Sequence, residues 1–135
     1  MKRILLLLSL AFVLSSCNKE KEEATFMIAY ENYTYNASGG GLSIGENTMS
    51  HIGTLTGIEH SFTIKGKNES DVNNKAKTEF NSRLSGFQAG FDNAVRLDAG
   101  DGSATATVSF YLYNINSETK VEESTATYTS SYPNQ

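Results

Sequence analysis

Several residue types are scarce in this chain, and each scarcity rules something out. There is one cysteine, Cys17, in 135 residues, so no intrachain disulfide and no thiolate cluster for zinc can form. There are two histidines, His51 and His60, and no tryptophan. No apolar run is long enough to cross a bilayer: Ile4–Leu14 has eleven residues, and a spanning helix needs about 20. Positive charge is also short, with 11 Lys and Arg against 15 Asp and Glu. A chain with that balance is not built to lie on phosphates, which excludes nucleic acid as a partner.

The cysteine has a specific setting. Lys2 and Arg3 precede the apolar run, and Ser15 and Ser16 supply small residues just before Cys17. That order is an export signal, too short to stay as an anchor. Leu14-Ser15-Ser16-Cys17 resembles the lipobox of bacterial lipoproteins. The resemblance implies a diacylglyceryl group on the Cys17 sulfur, cleavage before Cys17, acylation of the new amino group, and membrane attachment through these chains. Two or more acyl chains hold stably, whereas one holds only marginally. Asn18 follows in place of the Asp that retains many proteobacterial lipoproteins at the inner membrane. The Lys/Glu-rich run after it looks like the surface-export signals of Bacteroidetes lipoproteins. Both likenesses favour the outer membrane, with surface exposure as an extension.

Removing residues 1–16 leaves 119 of the 135 residues, enough for one domain. Loss of Lys2 and Arg3 leaves nine basic against fifteen acidic residues, a formal charge of −6. The expected organisation is a signal peptide over 1–16, a charged tether over 17–24 and a single domain over 25–135. The tether reading rests on Asn18–Glu23, which has no apolar residue.

Within the domain, Thr25–Tyr35 reads as a strand apolar on both faces, hence interior to a sheet. Ser38-Gly39-Gly40-Gly41 breaks regularity, and without a following Gly-Lys-Ser/Thr it is not a P-loop. Ile52–Lys65 alternates with period two, as one bulged strand or as two short ones separated near Gly57. From about Asp71 to Leu97 the pattern becomes helical, with Ser70 as N-cap. Phe80, Leu84, Phe87 and Phe91 form a stripe at about 100° per residue. Gly86 and Gly90 either admit another backbone or break the helix near Ser85. Asp98–Gly102 ends it. Ala104–Asn114 is the clearest strand, with Val108, Phe110 and Leu112 inward and Thr107, Ser109, Tyr111 and Tyr113 outward. Asn114–Lys120 then turns the chain into Val121–Tyr132 as an antiparallel hairpin.

The expected fold class is α+β, an antiparallel sheet of four to five strands with one long helix packed across a face. A β-sandwich with a peripheral helix is the alternative. Candidate chemistry is sparse. His51, Glu59 and His60 do not share one strand face, and Asp98 and Asp101 lack the ligand spacing of an EF-hand. No nucleophile-elbow Gly-x-Ser-x-Gly occurs. The expectation is therefore a protein that is not an enzyme and needs no cofactor or metal. Tyr111, Tyr113 and Tyr128, if together on the solvent face of the hairpin, form a platform for a protein or glycan ligand; the other reading is cross-strand pairing that only stabilises the sheet. An acidic, tethered domain would also suit an inhibitor or immunity protein facing a basic, lysozyme-like toxin. An envelope hydrolase is the remaining class.

Overall fold

The computed structural model describes residues 19–38 and 59–133. Cys17, Gly39–Gly41, His51 and the Ile52–Ile58 part of the expected strand lie outside these residues. The elements are β1 (Glu22–Ser38), β2 (Ser61–Gly66), α1 (Glu69–Ala99), β3 (Ser103–Asn114), β4 (Thr119–Lys120) and β5 (Ala126–Tyr132). All pairings are antiparallel, in the order β2-β1-β3, and the far edge of β3 is shared by β4 and β5. The helix covers one face of this sheet, so the fold is the expected α+β arrangement.

β1 is interior, as its two apolar faces imply. It begins earlier than residue 25, because the charged run is already paired: Glu22 stands opposite Gly66, and the Lys21 amide donates to the Gly66 carbonyl at 2.9 Å. Glu23 and Lys65 add an ion pair at 3.1 Å. The register of β1 against β3 shifts between Glu31 and Thr34, where Asn32 takes φ 54°. Asparagine adopts this left-handed conformation more readily than bulky residues do. The bulge keeps Tyr33 and Tyr35 packed against the core.

α1 opens at Asn68, not Ser70. The Asn68 side chain accepts from the Asp71 amide at 2.9 Å, and Asp71 Oδ2 accepts from the Lys67 amide at 2.9 Å. The first bond meets a donor that the first turn leaves unpaired, the second fixes the chain entering the helix, and Glu69 and Asp71 complement the dipole. β2 meets this start closely. A Cβ on Gly66 would lie 2.8 Å from Val72 Cγ2 and 2.9 Å from the Val72 amide nitrogen. The helix then runs unbroken through Gly86 and Gly90 to Ala99, about 46 Å at 1.5 Å per residue. Each interior glycine costs about 1 kcal/mol relative to alanine. Burial of Phe80, Phe87 and Phe91 against the sheet returns about 1.5–3 kcal/mol per ring. Gly100, at φ 53°, ends the helix, and the Gly102 amide returns to the Ala99 carbonyl at 2.8 Å.

The core lies between α1 and the inward residues of β1, β3 and β5. Phe91 is its centre. Its ring stands edge-on to Tyr33 of β1 at 6.5 Å, Phe110 of β3 at 6.3 Å and Tyr128 of β5 at 6.0 Å.

The hairpin after β3 is interrupted. Lys120 opposes Tyr113, but Ala126 opposes Phe110, so the returning chain spends six residues where β3 spends three. The extra three are accommodated over Val121–Thr125. Val121 turns into the core and its amide donates to the Leu112 carbonyl at 2.9 Å. Buried Ser124 stands in for a strand backbone: its Oγ accepts from the Leu112 amide at 3.2 Å and donates to the Val121 carbonyl at 2.6 Å.

Candidate functional site

An odd number of inserted residues reverses which side chains face which side of a strand. In an unbroken hairpin Tyr128 would have joined Tyr111 and Tyr113 on the outer face. The three extra residues instead set Tyr128 opposite Val108, on the helix side, with its ring against Phe91. Burial raises the Tyr128 phenol above its ordinary pKa of 10.0, with Asp92 adding to the effect. The three-tyrosine platform is thus not assembled. Tyr111 and Tyr113 do share the outer face, half-buried beside Ala29 and Met27 of β1.

The same insertion builds a feature that was not anticipated. It brings Thr127, Thr129 and Ser131 opposite Ser109, Thr107 and Thr105 on the outer face. Their hydroxyls pair across the strands at 2.8 Å, 2.8 Å and 3.1 Å. Thr-x-Thr-x-Ser at 105–109 and again at 127–131 was the available signal. Each hydroxyl has one proton to donate and two acceptor lone pairs, so the ladder keeps acceptor capacity for an external ligand at its accessible members, which exclude Ser109 at 4% exposure.

Lys120 and Glu31 border this face. Lys120 Nζ lies 4.8 Å from the Tyr111 ring centroid and 2.6 Å from Glu31 Oε1. The side chain spans from β4 past the Tyr111 ring to β1, engaging Tyr111 through a cation–π contact. Tyr113 lies beside this strap, opposite Met27 on β1 and Lys120 on β4. Among the described residues no element covers this side of the sheet. The arrangement offers hydrogen-bonding hydroxyls, two aromatic side chains and one balanced ion pair.

Between the first turns of α1 and the β3–β4 turn is a second, open cleft of about 600 Å³, lined in part by Asn73, Asn74, Asn114, Ser117, Lys77 and Lys120. Asn114 Oδ1 is committed to the amides of Asn116 and Ser117, at 2.9 Å and 3.2 Å, and so shapes the turn. The remaining candidates are dispersed. Glu59 and His60 are exposed before β2, and the Glu59 carbonyl accepts from Arg83. Asp98 is on α1, where its charge helps raise the Tyr35 phenol, after burial as the larger cause. Asp101 is in the exposed turn that follows. Among the described residues no three His, Cys, Asp or Glu side chains gather to hold a metal ion, and no helix is long and apolar enough to cross a membrane.

Comparison with known proteins bears on the other end of the chain. Residues 1–18 match the family model described as the prokaryotic membrane lipoprotein lipid attachment site. The chain is a lipid-anchored lipoprotein of the cell envelope. The match includes Cys17 and no part of the folded domain. No curated protein and no solved structure matches the chain.

Proposed function

We propose that this lipoprotein is a non-enzymatic binding module of the cell envelope, acylated with palmitate-class chains at Cys17, which takes a protein or glycan ligand on the outer face of its sheet. The supporting observation is the outer face, which no element covers among the described residues and where the hydroxyl ladder of β3 and β5 lies next to Tyr111 and Tyr113. Polar groups with aromatic rings beside them suit sugar stacking or a wet protein interface. Outer-membrane residence is part of this proposal, supported by Asn18 and the Lys/Glu-rich run after it.

Pull-down and glycan-panel binding with the soluble domain lacking Cys17 test the reading. Retention of a defined protein or glycan is expected, with loss when Thr129→Lys places a charge on the ladder. Turnover of a glycan or peptide panel would replace it with an envelope hydrolase. A second reading, an inhibitor or immunity protein, is favoured by the mature charge of −6. It requires inhibition of a basic, lysozyme-like enzyme by the same domain, weakening with added salt.

A further inference from the structure

The lipid anchor and the first paired residue are very close in sequence. Glu20 is already bonded to Lys75, at 2.9 Å, and the Lys21 amide to the Gly66 carbonyl, at 2.9 Å. From Cys17 to Glu20 there are three residues, which reach at most about 11 Å when fully extended. To Lys21 the reach is about 14 Å. A charged run that would be a spacer elsewhere is here part of the sheet, so almost no spacer is left.

We infer that one particular end of the domain is held against the headgroup layer of the bilayer that carries the Cys17 acyl chains. That end is formed by the start of β1 and the β2–α1 turn, with the β3–β4 turn beside them. Its partner is a lipid surface, and its charges fit one. Lys19, Lys21, Lys65 and Lys67 are interspersed with Glu20, Glu22, Glu23, Glu69 and Asp71. Such a near-balanced mixture suits zwitterionic headgroups and has little attraction of its own for an anionic surface. Proximity therefore comes from the acyl chains and the short link, not from affinity of the protein surface. Exposed Ile115, whose amide donates to the Thr25 carbonyl, belongs to the same end. The turn at Asp101 is at the far end of α1, about 46 Å away along the helix axis. With this end down, Thr107 stands seven residues up β3 from Asn114, about 23 Å from the headgroup side. The hydroxyl ladder is thereby held clear of the membrane.

The absence of tryptophan makes the test direct, because one introduced indole reports one position. The acylated protein is reconstituted in phosphatidylcholine and phosphatidylethanolamine vesicles containing a headgroup-nitroxide lipid. Fluorescence quenching is then measured for Lys67→Trp, Ile115→Trp and Asp101→Trp, all at exposed positions. Quenching several-fold stronger at positions 67 and 115 than at 101 is expected. A flexible insertion of roughly 20 Gly/Ser residues after Asn18, with a root-mean-square span of about 25 Å, should remove most of that difference. Equal quenching at the two ends, stronger quenching at 101, or quenching unaffected by the insertion would each overturn the inference. The same holds for vesicle binding by the domain lacking Cys17. No ligand enters the measurement, so its failure is separate from failure of the binding reading.

Discussion

Lys75 Nζ donates to a Glu20 carboxylate oxygen at 2.9 Å, joining the charged run after Cys17 to the second turn of α1. The same ammonium donates to the Lys65 carbonyl at 2.8 Å and lies 3.4 Å from Asp71 Oδ2. One side chain thus ties together the chain entry, the end of β2 and the helix start. Exposed ion pairs contribute little to global stability, so the consequence is local. Lys75→Met should leave the melting transition almost unchanged while speeding hydrogen exchange at the amides of residues 19–23. Unchanged exchange there would show that the Lys21–Gly66 backbone bond and the pairing of Glu22 and Glu23 with β2 hold the entry without Lys75.

Phe91 should be the most costly ring to truncate. It is fully buried and contacts rings from three strands. Phe91→Ala removes these contacts and leaves a cavity, so a loss of about 3–5 kcal/mol is expected in urea unfolding. Leu97 is 55% exposed, and Leu97→Ala on the same helix should stay within about 0.5 kcal/mol.

The contrast between these two residues was legible in the sequence, because Phe80, Phe87 and Phe91 recur at helical spacing and Leu97 falls off the stripe. Strand parity was equally legible in β3, where Val108, Phe110 and Leu112 all face inward. What the sequence concealed were events that change phase. Three residues inserted between Lys120 and Ala126 turned Tyr128 from the outer face to the core, and a bulge at Asn32 realigned Tyr33. Neither carries a glycine or proline to announce it. Continuity through Gly86 and Gly90 was settled by aromatic burial along the whole helix, a tertiary effect that outweighs local propensity. The outer-face ladder was legible only as two Thr-x-Thr-x-Ser runs, whose alignment depends on that same insertion.

Asn32 should tolerate glycine but not a β-branched residue. Its φ of 54° lies in the left-handed region, which costs most L-residues roughly 1–2 kcal/mol. Asn32→Val should destabilise the domain by about that amount, and Asn32→Gly should be close to neutral in the same denaturation assay. Equal effects would mean that the bulge relaxes into a regular strand.

Stability should fall at both pH extremes, for identifiable groups. The Lys67 amide hydrogen bond, with Lys75 nearby, holds the Asp71 carboxyl below its ordinary pKa of 3.8. A folded pKa below the unfolded one contributes stability that is present above the unfolded value and is lost as pH falls through the folded value. Asp71→Asn should therefore flatten the acid side of the stability profile below about pH 4. On the alkaline side the sign reverses. Burial, reinforced by Asp98 and Asp92, raises Tyr35 and Tyr128 above 10.0. Their contribution is complete below the unfolded value and is lost as pH rises through the folded ones. Tyr35→Phe and Tyr128→Phe should each make the alkaline fall in stability shallower in denaturation curves taken across that pH range.

Ser124 holds the interruption that decides which way β5 faces. Its Oγ meets the Leu112 amide at 3.2 Å in a buried position, where no water could readily take its place. Ser124→Ala removes the acceptor and leaves a buried N–H without a partner, a cost of about 1–3 kcal/mol. The loss should be local in origin, with the Leu112 amide exchanging faster than its neighbours on β3 before global unfolding begins. Ser124→Thr keeps the hydroxyl and should restore protection at Leu112, even if the added methyl lowers overall stability. If Ser124→Ala leaves exchange at Leu112 unchanged, the Val121 backbone and the Phe110–Ala126 pair are sufficient to set the register. The parity of β5 would then rest on those two contacts together with burial of Tyr128 against Phe91.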